Sequence, residues 1–249
     1  MSDDFFSGVT QQPVQTSAGE CQLPILYRDG SVVGLMYRVA PEIVAPCIPN
    51  PGEFEPFTLM GKAIVQLVVF EYRDTTIGPY NEVALAVEIK RRGSSPSTWG
   101  ALINAKGQPS YGSTFLSLPV TSDAACAAGR EIWGYPKYVV DIQTEFSDEG
   151  IHAVQKGEFE LNVGPPGWLE TPGIPFVLMS VLGGKVIRTI VETGHPLKWG
   201  GGNRTELKLL GSGPTADNIQ AMGLAAMKPS FVWRALKMRS ILPQGEAQD

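Results

Sequence analysis

Apolar and polar residues alternate along this chain more often than they recur at helical spacing. Val83, Leu85, Val87 and Ile89 alternate with Ala84, Ala86, Glu88 and Lys90, the two-residue period of a strand. The same reading predicts strands over residues 31–39, 62–73, 111–120, 137–146, 151–163, 175–182, 185–192, 206–210 and 231–242. Ser147 to Gly150 and Gly183-Gly184 have the turn chemistry of hairpin connections. Helical signals are short. Pro41 suits the first turn of a helix over 41–45, because its missing N–H costs nothing there. Ser122 and Asp123 can cap a helix over 124–128 that Gly129 would end, and Thr215 can cap one over 216–226. Residues 75–80 read as a loop and 93–110 as an irregular lid or subunit contact. About ten strands and three short helices predict a mainly β (α+β) chain, a mostly antiparallel sheet or barrel. Residues 1–22 form an N-terminal arm and 23–249 a single domain.

Composition agrees and removes several function classes. The 28 glycines and 20 prolines in 249 residues stand well above the roughly 12% of an average chain, which excludes a coiled coil. Hydrophobic residues make up 43% and charged residues 18%, so the chain is not disordered. A net charge of −5 leaves no broad basic face for nucleic acid. The N-terminus carries Asp3 and Asp4 where a signal peptide needs basic residues, and the apolar runs are too short to span a bilayer. Cys21, Cys47 and Cys126 are too scattered for a zinc site or a disulfide framework. The expectation is a soluble cytoplasmic protein.

Motif chemistry is mostly negative. Neither a dinucleotide fingerprint nor a phosphate loop is present, and Gly200-Gly201-Gly202-Asn203 lacks the strand–loop–helix setting of a phosphate cradle. His152 and His195 are too few for a metal centre, and no nucleophile elbow supports a serine triad.

One segment stands out: Gly129-Arg130-Glu131-Ile132-Trp133-Gly134-Tyr135-Pro136-Lys137. Pro136 fixes its own φ and holds Tyr135 extended, so Lys137 opens a strand on a stiffened backbone. Strand alternation puts Lys137 on one face with Val139, and Tyr138, Val140 and Ile142 on the other. A lysine at a strand start ordinarily points into water. The alternative is an amine buried at the mouth of an apolar barrel, near Trp133 and Tyr135.

These nine residues resemble the signature of the acetoacetate decarboxylase superfamily. Gly78-Pro79-Tyr80-Asn81-Glu82 is similar to a second family segment. Tyr27-Arg28, Tyr37-Arg38-Val39 and Ile241-Leu242-Pro243 extend the likeness over roughly residues 23–243. The resemblance implies a barrel or cone, a homo-oligomer, no cofactor, and a keto acid substrate. It implies that Lys137 forms a Schiff base and that Glu82 orients groups or moves protons. Arg28 would meet the substrate carboxylate, with Gln66, Tyr80, Trp133 and Tyr135 lining the pocket.

The chemistry needs a neutral amine. A free lysine has a pKa of about 10.4, and burial can lower such a value by about 3–5 units. Two departures from the family pattern bear on the substrate. Tyr138 stands where familiar decarboxylases have a second lysine. A second pocket glutamate is missing from the preceding strand, where Gln66 is the polar candidate and Glu71 stands out of register. Decarboxylation through an imine is the leading expectation. Aldol cleavage or condensation, dehydration or cyclisation through the same imine is its close alternative. A non-catalytic binding barrel is the third reading, and it predicts a Lys137 that is exposed or held by Glu82 or Glu131.

Overall fold

The computed structural model describes residues 4–165 and 167–248. Seven strands close a barrel. Ile25–Val39 pairs with Ser240–Leu242, which pairs with Lys185–Thr193 and so to Phe176–Leu182. Tyr111–Val120, Tyr80–Arg91 and Lys62–Thr75 follow, and the last pairs back to Ile25–Val39. Every step is antiparallel except the contact between Phe176–Leu182 and Tyr111–Val120. A four-stranded sheet, built from Ile142–Phe146, Ile151–Gln155, Phe159–Val163 and Thr205–Leu209, belongs to a separate ladder.

The barrel wall is buried on both sides, which explains its near-continuous apolar runs. Along Lys62–Thr75, Gln66, Val68, Phe70 and Tyr72 face the interior cavity. Val65, Leu67 and Val69 join an outer core with Phe159, Leu161 and Ile219. Along Tyr80–Arg91 the inward residues include Ala84 and Ala86. Their small side chains leave the space that forms the cavity. Dispersion and burial on the outer face hold the wall, so the inner face need not be filled.

Several boundaries differ from the sequence expectation, each for a local reason. The helix expected to end at Gly129 runs from Asp123 to Trp133 and ends at Gly134, which adopts φ 70°. Glycine inside a helix costs only about 1 kcal/mol, so Gly129 is not a stop by itself. Thr215 is not a cap. The helix is Pro214–Ala221, and the Glu158 carboxylate accepts from the N–H groups of Thr215 and Ala216 at 2.8 and 2.9 Å. Residues 137–146 divide into Lys137–Val139 and Ile142–Phe146, which serve different sheets. Residues 151–163 divide at Gly157, which has φ 79°. Residues 231–242 divide into Phe231–Ala235 and Ser240–Leu242. The segment 93–110 carries a short helix, Thr98–Ile103, capped by the Ser97 hydroxyl. The N-terminal arm contains a hairpin, Gln12–Thr16 with Gly19–Leu23, tied to the long helix where Ser17 donates to the Glu131 carboxylate.

Candidate active site

Lys137 reaches the barrel interior through a split in the wall. Tyr111–Val120 meets Phe176–Leu182 only at the pair Ser113 and Leu178. Its other half pairs in parallel with Lys137–Val139, so that Leu118 lies beside Lys137. The approach to this strand is tightly built. The N–H groups of Gly134 and Tyr135 bond back to Arg130 and Gly129, closing the helix through its left-handed residue. The Lys137 N–H then donates to the Tyr135 carbonyl at 2.8 Å, a three-residue turn centred on Pro136. Alternation then places Lys137 inward and Tyr138 outward, where its hydroxyl donates to Glu158 at 2.9 Å.

Gly129 makes room for the amine's stem. A Cβ at this position would stand 2.4 Å from Lys137 Cδ and 2.6 Å from Cε. The lysine chain therefore lies directly against the helix backbone. Sequence reading took this glycine for punctuation, and the signal it carried was a glycine inside a helix facing the reactive strand.

Lys137 is 8% exposed and Glu82 is 7% exposed. Nζ donates to Glu82 Oε2 at 2.5 Å and sits 5.5 Å from the centre of the Tyr80 ring. Both residues line one cavity of about 100 Å³. The Tyr72 hydroxyl is 3.5 Å from the other Glu82 oxygen, and the hydroxyls of Tyr27 and Tyr80 are 3.1 Å apart. Burial first, and neighbouring negative charge second, push the phenols of Tyr27, Tyr72 and Tyr80 well above the ordinary tyrosine value. Burial raises Tyr135 in the same direction. These four phenols stay neutral and able to donate hydrogen bonds to a developing oxyanion.

Of the residues singled out from sequence, Lys137, Glu82, Gln66, Tyr80, Trp133 and Tyr135 meet around this cavity. Arg28 does not. It points outward and pairs with Asp74 at 3.5 Å, both side chains being largely exposed. Tyr27 takes the inward position, because adjacent strand residues face opposite sides. Glu71 is also outside and pairs with Arg73. Glu131 is occupied by Ser17. Among the described residues that line the cavity, Lys137 supplies the amine and Glu82 the carboxylate, and the remaining wall is mainly aliphatic and aromatic.

Sequence reading missed Tyr27, Tyr72 and Trp233 as lining residues. The parity of Tyr72 and Trp233 follows from Gln66 once the strands are paired, whereas Tyr27 faces inward only because register shifts between Tyr27 and Gly30 reverse the parity of its strand. It also missed Glu88, a second buried glutamate on the inward face of the Glu82 strand. Gln66 donates to it at 2.7 Å, Tyr111 at 2.6 Å and Ser113 at 2.9 Å. Trp233 lies against Gly34, where a Cβ would come within 2.1 Å of the indole, and its N–H donates to Gln66 at 3.2 Å.

Comparison with known proteins agrees with this architecture. An acetoacetate decarboxylase from Legionella pneumophila subsp. pneumophila str. Philadelphia 1 superposes with a TM-score of 0.66 at 16% identity, over 99% of this chain and 94% of that one. The enduracididine biosynthesis enzyme MppR, complexed with pyruvate, superposes at 0.59 with 14% identity, over 96% and 91%. An acetoacetate decarboxylase-like enzyme from Sphingomonas wittichii RW1 gives 0.57 at 12% identity, over 91% and 93%. These likenesses are of fold. No curated protein matches in sequence. The sequence model of the acetoacetate decarboxylase family matches residues 11–163, most of the chain and both segments that carry Glu82 and Lys137. The chain belongs to the acetoacetate decarboxylase family.

Proposed function

We propose that this protein is a lyase that works through a Schiff base on Lys137. The observation that carries the reading is the buried Lys137–Glu82 pair facing free space in an otherwise apolar barrel. Burying two charges costs several kcal/mol per ion, and moving one proton from Nζ to the carboxylate removes both charges together. The freed amine attacks a substrate carbonyl carbon. The carbonyl oxygen takes protons and leaves as water, which produces an iminium. Electrons from a broken bond at the neighbouring carbon flow into that iminium and form an enamine. Protonation and hydrolysis then release product and amine. Glu82 holds and returns the proton, and the neutral phenols meet the carbonyl oxygen during attack.

The reaction that this pocket favours is aldol-type cleavage or condensation, or dehydration, of a mostly apolar carbonyl compound. A substrate carboxylate would face Glu82 with no second lining cation, since Arg28 lies outside. Decarboxylation of a keto acid is the second reading, and membership of the acetoacetate decarboxylase family favours it. A non-catalytic barrel would also pair Lys137 with Glu82, and turnover separates it from both. The test is a panel of β-keto acids, β-hydroxy ketones and aldehyde–ketone pairs, followed by CO2 release and by product NMR. Wild-type protein is expected to turn over at least one β-hydroxy ketone or aldol pair, and Lys137→Arg none. CO2 release alone selects the second reading. No turnover of any carbonyl class, or turnover that survives Lys137→Arg, contradicts the proposal.

A further inference from the structure

A second cavity, of about 300 Å³, lies on the outer side of the barrel wall and collects positive charge. Lys198, Arg204 and Arg234 line it, with the Asn203 amide and the Thr205 hydroxyl beside them. No Asp or Glu is among the described residues that line it, although the whole chain carries a net charge of −5. Gly164 lets the backbone close in, since a Cβ there would stand 2.8 Å from the Arg204 Cβ.

Arg234 is the informative member. It is 2% exposed, and its Nη2 donates to the Asp148 carbonyl at 2.9 Å. Nε and Nη1 have no partner, and neither has the buried Thr205 hydroxyl. Buried donors without acceptors are costly, and a buried guanidinium without a counter-charge is more so. Lys198 stands directly opposite Arg234 in the antiparallel ladder, where like charges repel. A guanidinium needed only to hold the Asp148 carbonyl would not require a second cation across from it. Asp148 reaches Arg234 through space, Glu170 stands opposite Lys198 in the next ladder, and Glu71, Glu145, Glu149 and Glu206 line a neighbouring cleft that shares Arg204; none of the six lines this cavity.

We propose that this cavity binds a small phosphate-class anion, held by Arg234, Lys198 and Arg204. A carboxylate brings one charge and two oxygens. A phosphate or phosphate monoester brings close to two charges and three or more acceptor oxygens, which suits three cations, an amide and a hydroxyl. The site is separate from the barrel interior but adjoins it through the chain, because Trp233, the neighbour of Arg234, lines the inner cavity.

Calorimetric titration of the full chain with inorganic phosphate and with methyl phosphate tests this, ionic strength being held constant with chloride. Wild-type protein is expected to bind at least one of the two saturably at one site, the tighter probe identifying a free or an esterified ligand. Arg234→Met should abolish binding. Because a change at a buried residue can perturb folding, the exposed pair Lys198→Ala/Arg204→Ala is the decisive variant, with its fold checked by circular dichroism. It should bind about 10-fold or more weakly. Heats no larger than those with chloride, or wild-type binding by the double variant, would overturn the proposal.

Discussion

Glu82 and Glu88 project from the same face of one strand, six residues apart, and the barrel surrounds them differently. Glu88 accepts hydrogen bonds from Gln66, Tyr111 and Ser113, all neutral donors with short contacts. Its carboxylate is nearly saturated with hydrogen bonds, so it is held in place and has little freedom to turn toward a substrate. Glu82 has one close partner, the Lys137 ammonium, and one long contact to Tyr72. The first arrangement resembles a structural plug that ties three strands and, through Gln66, the Trp233 ring. The second leaves a proton donor and acceptor side by side, next to free volume. Burial alone therefore does not mark a reactive carboxylate; the kind of donors that surround it does.

Substitution can break this comparison. Lys137→Arg should have the largest effect, loss of all turnover, because a guanidinium cannot form the imine. Glu82→Gln should lower kcat/KM by about 10²–10⁴-fold, the usual worth of a positioned acid–base group. Glu88→Gln should do the reverse. Its amide would set N–H groups against the Tyr111 or Ser113 donors, at a cost of about 1–3 kcal/mol, while turnover stays near wild type. In a chain of this size each kcal/mol lowers Tm by about 2–4 °C, which thermal denaturation resolves. Equal loss of activity in both variants would remove the distinction. Gly129→Ala should lower turnover by about 10²-fold through displacement of the Lys137 stem, since small misplacements of a reacting group carry penalties of that order. Its Tm should hardly fall, because alanine favours the helix by about 1 kcal/mol. Arg28→Ala should have the smallest effect, with unchanged kinetics and little stability change, as expected of an exposed ion pair.

How much of this was legible before the structure depends on the range of the interaction. Strand alternation and turn residues placed most of the wall, and the stiff Tyr135-Pro136 step singled out Lys137. The pairing of Lys137 with Glu82 rests on strands 55 residues apart, and only the resemblance to a family connected them. Arg28 was misplaced because plain alternation from Val33, Leu35 and Tyr37 on the outer face would turn it inward, and the register shifts between Tyr27 and Gly30 reverse that parity and bring Tyr27 inside instead. Gly129 was read as a helix stop because glycine carries the same local signal whether it ends a helix or yields space to a neighbour. Glu88 was legible as a member of an alternating strand. Its saturation by Tyr111 and Ser113 depends on the next strand's register, which local pattern does not determine.

Trapping of the imine tests the central claim most directly. The full-length protein, incubated with a reactive carbonyl compound and reduced with borohydride, is read by intact mass and then by peptide mapping. The expected result is an adduct on Lys137 alone, of the mass of the substrate or of its cleavage product less one oxygen, and none in Lys137→Arg. An adduct spread over surface lysines, or an unchanged mass in protein that is folded and turning the compound over, would contradict it.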